Sequence, residues 1–112
     1  MKYESEDFTI DCTQPGRARL EGVLRLSSPA AYEDRFEPLR QGLQDSASGY
    51  TVDISKVQFL NSSGITGLSR LVLMARAQGK PISIVGSSAV AWQSKTLRLL
   101  ERLYDKLDIR LE

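Results

Sequence analysis

Alternating apolar and polar residues near the start of the chain predict a pair of β-strands. Apolar side chains recur with a period of two in segments 8–12 and 18–26, the period of a strand that buries one face. The turn-forming residues Gln14, Pro15 and Gly16 lie between the two segments. The pattern therefore predicts an antiparallel hairpin.

The next segment has apolar residues at helical spacing. Ser28 and Pro29 are typical of a helix start, as a hydroxyl cap followed by proline at the first helical position. Pro38 lies inside the helical pattern, where it removes a backbone donor. The segment therefore forms either one kinked helix or two short helices that meet near residues 36–37.

Strands and helices alternate in the rest of the chain. Strands are predicted at 50–54, 82–85 and 107–111. Residues 55–56 are expected to end the first of these strands. One helix is expected after residue 61, with Gly79 as its C-cap, and another over 90–105. The predicted order is β-β-α-β-α-β-α-β, which is typical of an α/β domain with a mixed sheet.

Length and charge narrow the class of protein. At 112 residues and 41% hydrophobic content, the chain is expected to form a single domain over residues 1–112. Fifteen basic and fourteen acidic residues give a net charge of +1, which argues against binding to nucleic acid or to an anionic membrane. No apolar run approaches the roughly 20 residues that span a bilayer, so a cytoplasmic location is expected.

The residue types present exclude several kinds of catalytic site. The chain has no histidine, which removes the usual general base and the Ser-His-Asp and Cys-His arrangements. Its single cysteine, Cys12, forms no disulfide within the chain and is interpreted as a core residue. No metal-site spacing occurs. The sequence therefore predicts a protein that is not an enzyme and has no metal or other cofactor.

The residues Asn-Ser-Ser-Gly at 61–64 stand where the second long helix begins. Free backbone N–H groups at a helix start stabilise an anion, so a phosphate on Ser62 or Ser63 would be held there. Gly64 and Gly67 are expected to let a partner approach the hydroxyl closely. A plain capped turn explains the same residues, since Asn61 or Ser62 can cap the helix.

The wider context of these residues resembles the STAS family. The resemblance rests on VDISKVQFLNSSGITGL at 52–68 followed by GKPISIVGSS at 79–88, and it spans nearly the whole chain. It implies a STAS-like mixed sheet of four to five strands with about three to four helices. Asn61 stands where the family's anti-sigma factor antagonists usually have aspartate. Together with AWQSKTLRLLERL at 91–103, it resembles a STAS subgroup common in cyanobacteria.

The resemblance also implies a function. Single-domain bacterial STAS proteins of the anti-sigma factor antagonist type are non-catalytic and regulate transcription by partner switching. In them, the serine that corresponds to Ser62 is phosphorylated, and Ser63 is the second choice here. The implied partners are a serine kinase of the anti-sigma factor type and a PP2C-type phosphatase. The expected partner-binding residues are Asn61, Ser62, Ser63, Gly64, Thr66, Gly67 and Arg70.

Three alternatives remain open from the sequence. Trp92 is a candidate for a second partner contact, and core packing explains it equally well. The chain could instead be an unphosphorylated scaffold or assembly subunit that associates through its helices or an edge strand. A module that binds an anion or nucleotide at the same helix start is the last alternative, although it would lack a longer glycine-rich cradle with a lysine. The sequence does not determine the oligomeric state.

Overall fold

A computed structural model describes all of residues 1–112. It contains six strands, four α-helices and one 3₁₀ turn at Glu101–Leu103. The strands are β1 (Lys2–Glu4), β2 (Phe8–Asp11), β3 (Arg17–Leu24), β4 (Tyr50–Leu60), β5 (Ile82–Gly86) and β6 (Leu107–Leu111). The helices are α1 (Pro29–Arg35), α2 (Glu37–Asp45), α3 (Ser62–Gln78) and α4 (Ala91–Leu100).

The six strands form one mixed sheet in chain order, from β1 at one edge to β6 at the other. β1, β2 and β3 pair antiparallel, and the pairs from β3 to β6 are parallel. Successive right-handed crossovers in a constant direction put every helix on the same face of the sheet. The other face, here called the open face, carries mostly polar side chains. The expected α/β class with a mixed sheet and three to four helices is confirmed, and the sheet has six strands where four to five were expected.

The structure corrects several element boundaries. β1 was not predicted, because two of its three residues are exposed and charged and give no apolar period. β4 does not end at residues 55–56 but continues to Leu60, because two register shifts against β3 absorb an extra β4 residue each. The last α-helix ends at Leu100 and tightens into the 3₁₀ turn before Tyr104.

The helical segment around Pro38 is two helices. Phe36 ends α1 and precedes α2, and Pro38 occupies the first turn of α2, where its missing N–H costs nothing. Phe36 is 1% exposed and meets the fully buried Tyr32 edge to face, with ring centroids 5.3 Å apart. The break therefore turns two aromatic side chains into the core between helices and sheet.

None of the helices is both long and apolar enough to cross a membrane.

Gln93 of α4 is a polar residue without any exposed surface. Its Nε2 donates to the Ile54 and Val57 carbonyls at 2.8 Å each, and its Oε1 accepts from the Ser87 amide at 2.7 Å. These two carbonyls flank the first register shift of β4. Gln93 therefore satisfies two carbonyls of β4 and the amide of the residue that follows β5, a role that the sequence does not reveal.

Asp53 on β4 is the most buried charge of the open face, at 6% exposure. Ser55 donates to Oδ1 from its amide at 2.9 Å and its hydroxyl at 2.7 Å, and Arg17 donates to Oδ2 at 2.9 Å. Arg19 Nε lies 3.7 Å from the same Oδ2. Burial alone would raise the pKa of Asp53, but these hydrogen bonds and charges outweigh it and hold the pKa below its usual value.

The Gln93→Met variant should be less stable by about 2–4 kcal/mol, because two buried carbonyls and the half-buried Ser87 amide lose their partner at nearly constant volume. The free energy of unfolding in urea measures this. Gln78→Met, the same change at an exposed position of α3, should lie within about 0.5 kcal/mol of wild type. Equal losses in both variants would show that the Gln93 hydrogen bonds do not stabilise the fold.

Asp53→Asn should lower the free energy of unfolding at pH 7 by roughly 1–2 kcal/mol. Because the folded pKa of Asp53 lies below the unfolded value of about 3.9, this stabilisation is complete above that value and disappears as the pH falls through the folded pKa. Unfolding curves at several pH values should therefore converge only in strong acid. Asp108→Asn, which removes an exposed ion pair, should lower the free energy of unfolding by less. If the effect of Asp53→Asn on the free energy of unfolding did not change with pH, the lowered pKa of Asp53 would be contradicted.

Candidate functional site

The start of α3 is built around the side chain of Asn61, its N-cap. Asn61 Oδ1 accepts hydrogen bonds from the Gly64 amide at 3.1 Å and from the Tyr32 hydroxyl at 2.7 Å. Its Nδ2 donates to the Leu26 carbonyl at 2.9 Å. The Tyr32 hydroxyl in turn accepts from the Leu26 amide at 3.3 Å. This side chain therefore joins the end of β4, the first turn of α3, the segment after β3 and α1.

The geometry explains why an amide suits position 61. An ionised aspartate would keep the two acceptor bonds but would have no N–H for the Leu26 carbonyl, and would place a negative charge beside that oxygen. An asparagine makes all three bonds. The Asn61 side chain thus caps α3, and its part in partner binding stays a prediction.

The two serine hydroxyls occupy the first two positions of α3 and differ in exposure. Ser62 is exposed and Ser63 is half-buried. No side-chain hydrogen bond within the chain uses either Oγ atom. The Gly64 and Ile65 amides bond back to Asn61, while the amides of Ser62 and Ser63 precede the first intrahelical bond. Ser62 therefore presents the more accessible hydroxyl, beside free backbone donors.

The two glycines of the motif pack inside the protein, which corrects the expectation that they open the loop to a partner. Both are buried. A Cβ on Gly64 would lie 2.3 Å from Leu60 Cδ1 and 2.9 Å from Tyr32 Cζ, and one on Gly67 would lie 3.0 Å from Phe36 Cε2. These positions lack side chains because α3 approaches α1 and β4 closely there. They are not part of the outer surface.

The remaining expected partner-binding residues of α3 lie together. Thr66 is half-buried, and its hydroxyl donates to the Ser62 carbonyl at 3.1 Å. Arg70 is exposed and forms an ion pair with Glu33 of α1. Helical periodicity places four residues on one flank of α3, which we call the α3 surface: Ser62, Ser63, Thr66 and Arg70.

Trp92 has an internal contact. It is half-buried, packs against the hydrophobic core from α4, and donates from Nε1 to the Gln58 carbonyl at 2.8 Å. Core packing therefore accounts for Trp92, and its role as a second partner contact stays a prediction.

Other reactive groups do not gather near α3. No three His, Cys, Asp or Glu side chains are close enough together to hold a metal ion. Cys12 is half-buried against the core, and burial raises the pKa of its thiol, so little thiolate forms at neutral pH. The α3 surface thus offers three hydroxyl groups and one guanidinium that is held in an ion pair. Such groups suit contact with another protein.

Sequence reasoning missed two residues, Tyr32 and Leu26, that hold Asn61 in place. Tyr32 fits the apolar period of its helix, but nothing local shows that its hydroxyl bonds Asn61, 29 residues away. Leu26, 35 residues before Asn61, contributes only backbone groups. The one sign of these contacts in the sequence is the neutral amide of Asn61, which can both donate and accept hydrogen bonds.

Comparison with known proteins identifies the fold. No protein-family model matches the chain, and no curated protein matches it in sequence. Among solved structures, one chain from the complex of the diguanylate cyclase SiaD with its activator SiaC, from Pseudomonas aeruginosa, has a TM-score of 0.72 and 14% identity. The match covers 97% of this chain and 96% of that one. The fold is therefore one found in a structure of a diguanylate cyclase in complex with its activator.

Two structures of SiaC alone also have the fold of this chain. SiaC of P. aeruginosa gives a TM-score of 0.69 at 16% identity, covering 98% of this chain and 93% of that one. Apo-SiaC gives 0.70 at 14% identity, covering 95% and 90%. Identities this low support a shared fold.

The comparison overturns the expected partners. The STAS resemblance implied a serine kinase of the anti-sigma factor type and a PP2C-type phosphatase. The solved complex with this fold instead joins SiaC to a diguanylate cyclase, SiaD. The expectation of kinase and phosphatase partners was wrong because it inferred partners from a fold, and proteins of one fold bind different partners.

Asn61→Ala should destabilise the fold by about 2–3 kcal/mol, because the cap is lost and the buried Tyr32 hydroxyl and the Leu26 carbonyl lose their partner. Ser62→Ala, at the next position, should change the free energy of unfolding by less than about 0.5 kcal/mol, since its hydroxyl bonds nothing. Chemical unfolding of both variants shows which of the two side chains stabilises the fold. A larger loss for Ser62→Ala would contradict this division.

Proposed function

We propose that this chain is a STAS-type regulator without catalytic activity, which controls a partner protein by binding it through the α3 surface. The observation that carries the proposal is the exposed Ser62 hydroxyl at the first position of α3, beside an Asn61 cap that fixes the helix start. The capped helix start fixes the backbone that carries this hydroxyl, which lowers the entropic cost of forming an interface around it.

A diguanylate cyclase is the proposed class of partner. SiaC, whose fold this chain shares along nearly its whole length, is the activator of the diguanylate cyclase SiaD. The low sequence identity allows the contact residues to differ while the mode of action is kept. The output that we propose is accordingly control of a cyclase, in place of the transcriptional control implied by the anti-sigma factor antagonist resemblance.

Phosphorylation of Ser62 is the proposed means of regulation. A phosphate there adds a charge of about −1.5 to −2 and can accept hydrogen bonds from the free amides of the first turn of α3. The same group inside a protein interface would have to be desolvated, and this opposes binding. The modified chain would therefore remain folded and release its partner. Ser63 is less suited because its side chain is half-buried.

Ser62→Asp should weaken binding to the partner cyclase at least about tenfold, equal to about 1.4 kcal/mol, without loss of folding stability. An acidic residue in the first turn even favours the helix. Biolayer interferometry with the purified diguanylate cyclases of the host organism measures the affinity, and thermal unfolding monitors the fold. Ser48→Asp is the matched control, since Ser48 is an exposed serine just before β4, at the opposite end of that strand.

The outcomes separate the two parts of the proposal. Binding of a cyclase by wild type but equally by Ser62→Asp would refute the role of Ser62. Failure of every host cyclase to bind the wild-type chain would refute the partner class. Mapping of phosphate to Ser62 in protein isolated from the host would support the modification directly, and phosphate only at another residue would contradict it.

A further inference from the structure

The edge strand β6 has backbone groups that no other strand uses. Its register on β5 is uninterrupted from the Ile82–Leu107 pair to the Gly86–Leu111 pair. The Ile82 amide donates to the Lys106 carbonyl at 3.3 Å, and the Glu112 amide donates to the Gly86 carbonyl at 2.9 Å. In a parallel ladder with this register, the even-numbered residues of β6 bond inward to β5.

The odd-numbered residues of β6 therefore point their backbone groups away from the sheet. The amides and carbonyls of Ile109 and Leu111 face outward, and so does the carbonyl of Leu107. The Leu107 amide is already bonded to the Tyr104 carbonyl at 3.2 Å. Such an open edge is a template for another strand.

The side chains of β6 are self-complementary about Ile109. Asp108 and Arg110 lie on either side of it, both exposed on the open face, and they pair with each other at 2.7 Å within the strand. Leu107 and Leu111 flank them on the helix side of the sheet. An antiparallel second copy of β6 centred on Ile109 would thus place each Asp108 opposite the other copy's Arg110, and each Leu107 opposite the other copy's Leu111.

We infer that two copies of this chain associate through β6 as a two-fold symmetric dimer with a continuous sheet. In this register, Ile109 of each copy exchanges backbone hydrogen bonds with the other, and each Leu111 amide donates to the Leu107 carbonyl opposite. The Asp108–Arg110 pairs fall at non-hydrogen-bonded sites, where Cα atoms are only about 4.5 Å apart and side chains interact most closely. Backbone geometry and charge thus select the same register.

The opposite edge of the sheet is less suited to this contact. β1 has only three residues, and its central Tyr3 ring is covered by the Arg35 guanidinium at 4.0 Å. β6 has five residues, and Ile109 and Leu111 are half-buried and pack against the core. A second copy on β6 would complete the burial of these side chains.

Sedimentation equilibrium on the full chain tests the inference. A short edge-strand interface is small, so the measurement should run from about 5 µM to about 500 µM. The wild-type average mass should rise with concentration from 12.5 kDa towards twice that value. Arg110→Asp, which opposes like charges across the interface, should weaken dimerisation at least about tenfold. The swap Asp108→Arg with Arg110→Asp should restore it, because both ion pairs reform in reverse.

Lys2→Glu is the matched control, because it reverses one charge of an intrastrand ion pair on the other edge strand. It should leave the dimer unchanged. Circular dichroism should show a native fold in all variants, since the altered side chains are exposed. A wild-type monomer throughout the range, dissociation by Lys2→Glu, or an Arg110→Asp variant as dimeric as wild type would each overturn the inference. The affinity of Ser62 variants for a cyclase is a separate measurement and would not be affected.

Discussion

The hydrogen bonds of the Asn61 side chain tie α1 and the start of α3 to the segment that follows β3. Tyr32 has no exposed surface, so its hydroxyl must bond inside the protein, and it does so with Asn61 and the Leu26 amide. The same asparagine caps α3 and binds the Leu26 carbonyl. Only a side chain that both accepts and donates can meet these demands together. Core packing holds α1 and α3 on the sheet, and Asn61 satisfies the polar groups that this packing buries at the start of α3, next to the exposed Ser62.

Local pattern predicted the elements whose signals are local. The β2–β3 hairpin and α3 follow from apolar periods bounded by a turn and by caps, and Gly79 ends α3 in the left-handed conformation expected of a C-cap glycine. The extension of β4 was missed because its register shifts depend on pairing with β3. Short β1 was missed because its position at the edge leaves its charges exposed, so that no apolar period arises.

The candidate site was predicted in part for the same reason. A hydroxyl at the start of a helix is visible in the sequence, and Ser62 is indeed exposed there. Whether Gly64 serves access or packing depends on Leu60 and Tyr32, whose positions only the folded chain reveals. The partner was least predictable, since binding specificity lies in surface side chains that two proteins of one fold need not share. The resemblance to the STAS family therefore predicted the fold correctly and the partners incorrectly.

The order of the strands in the sheet separates the two proposed surfaces. Sheet order follows chain order, so β5 lies between β4, which leads into α3, and the free edge at β6. Adjacent strands are about 4.8 Å apart, and the α3 surface faces α1 on the side away from β6. A second copy on β6 would therefore leave both Ser62 hydroxyls open to partners. Binding at α3 and association at β6 can then occur together, and a two-fold dimer would offer a cyclase two identical regulatory surfaces.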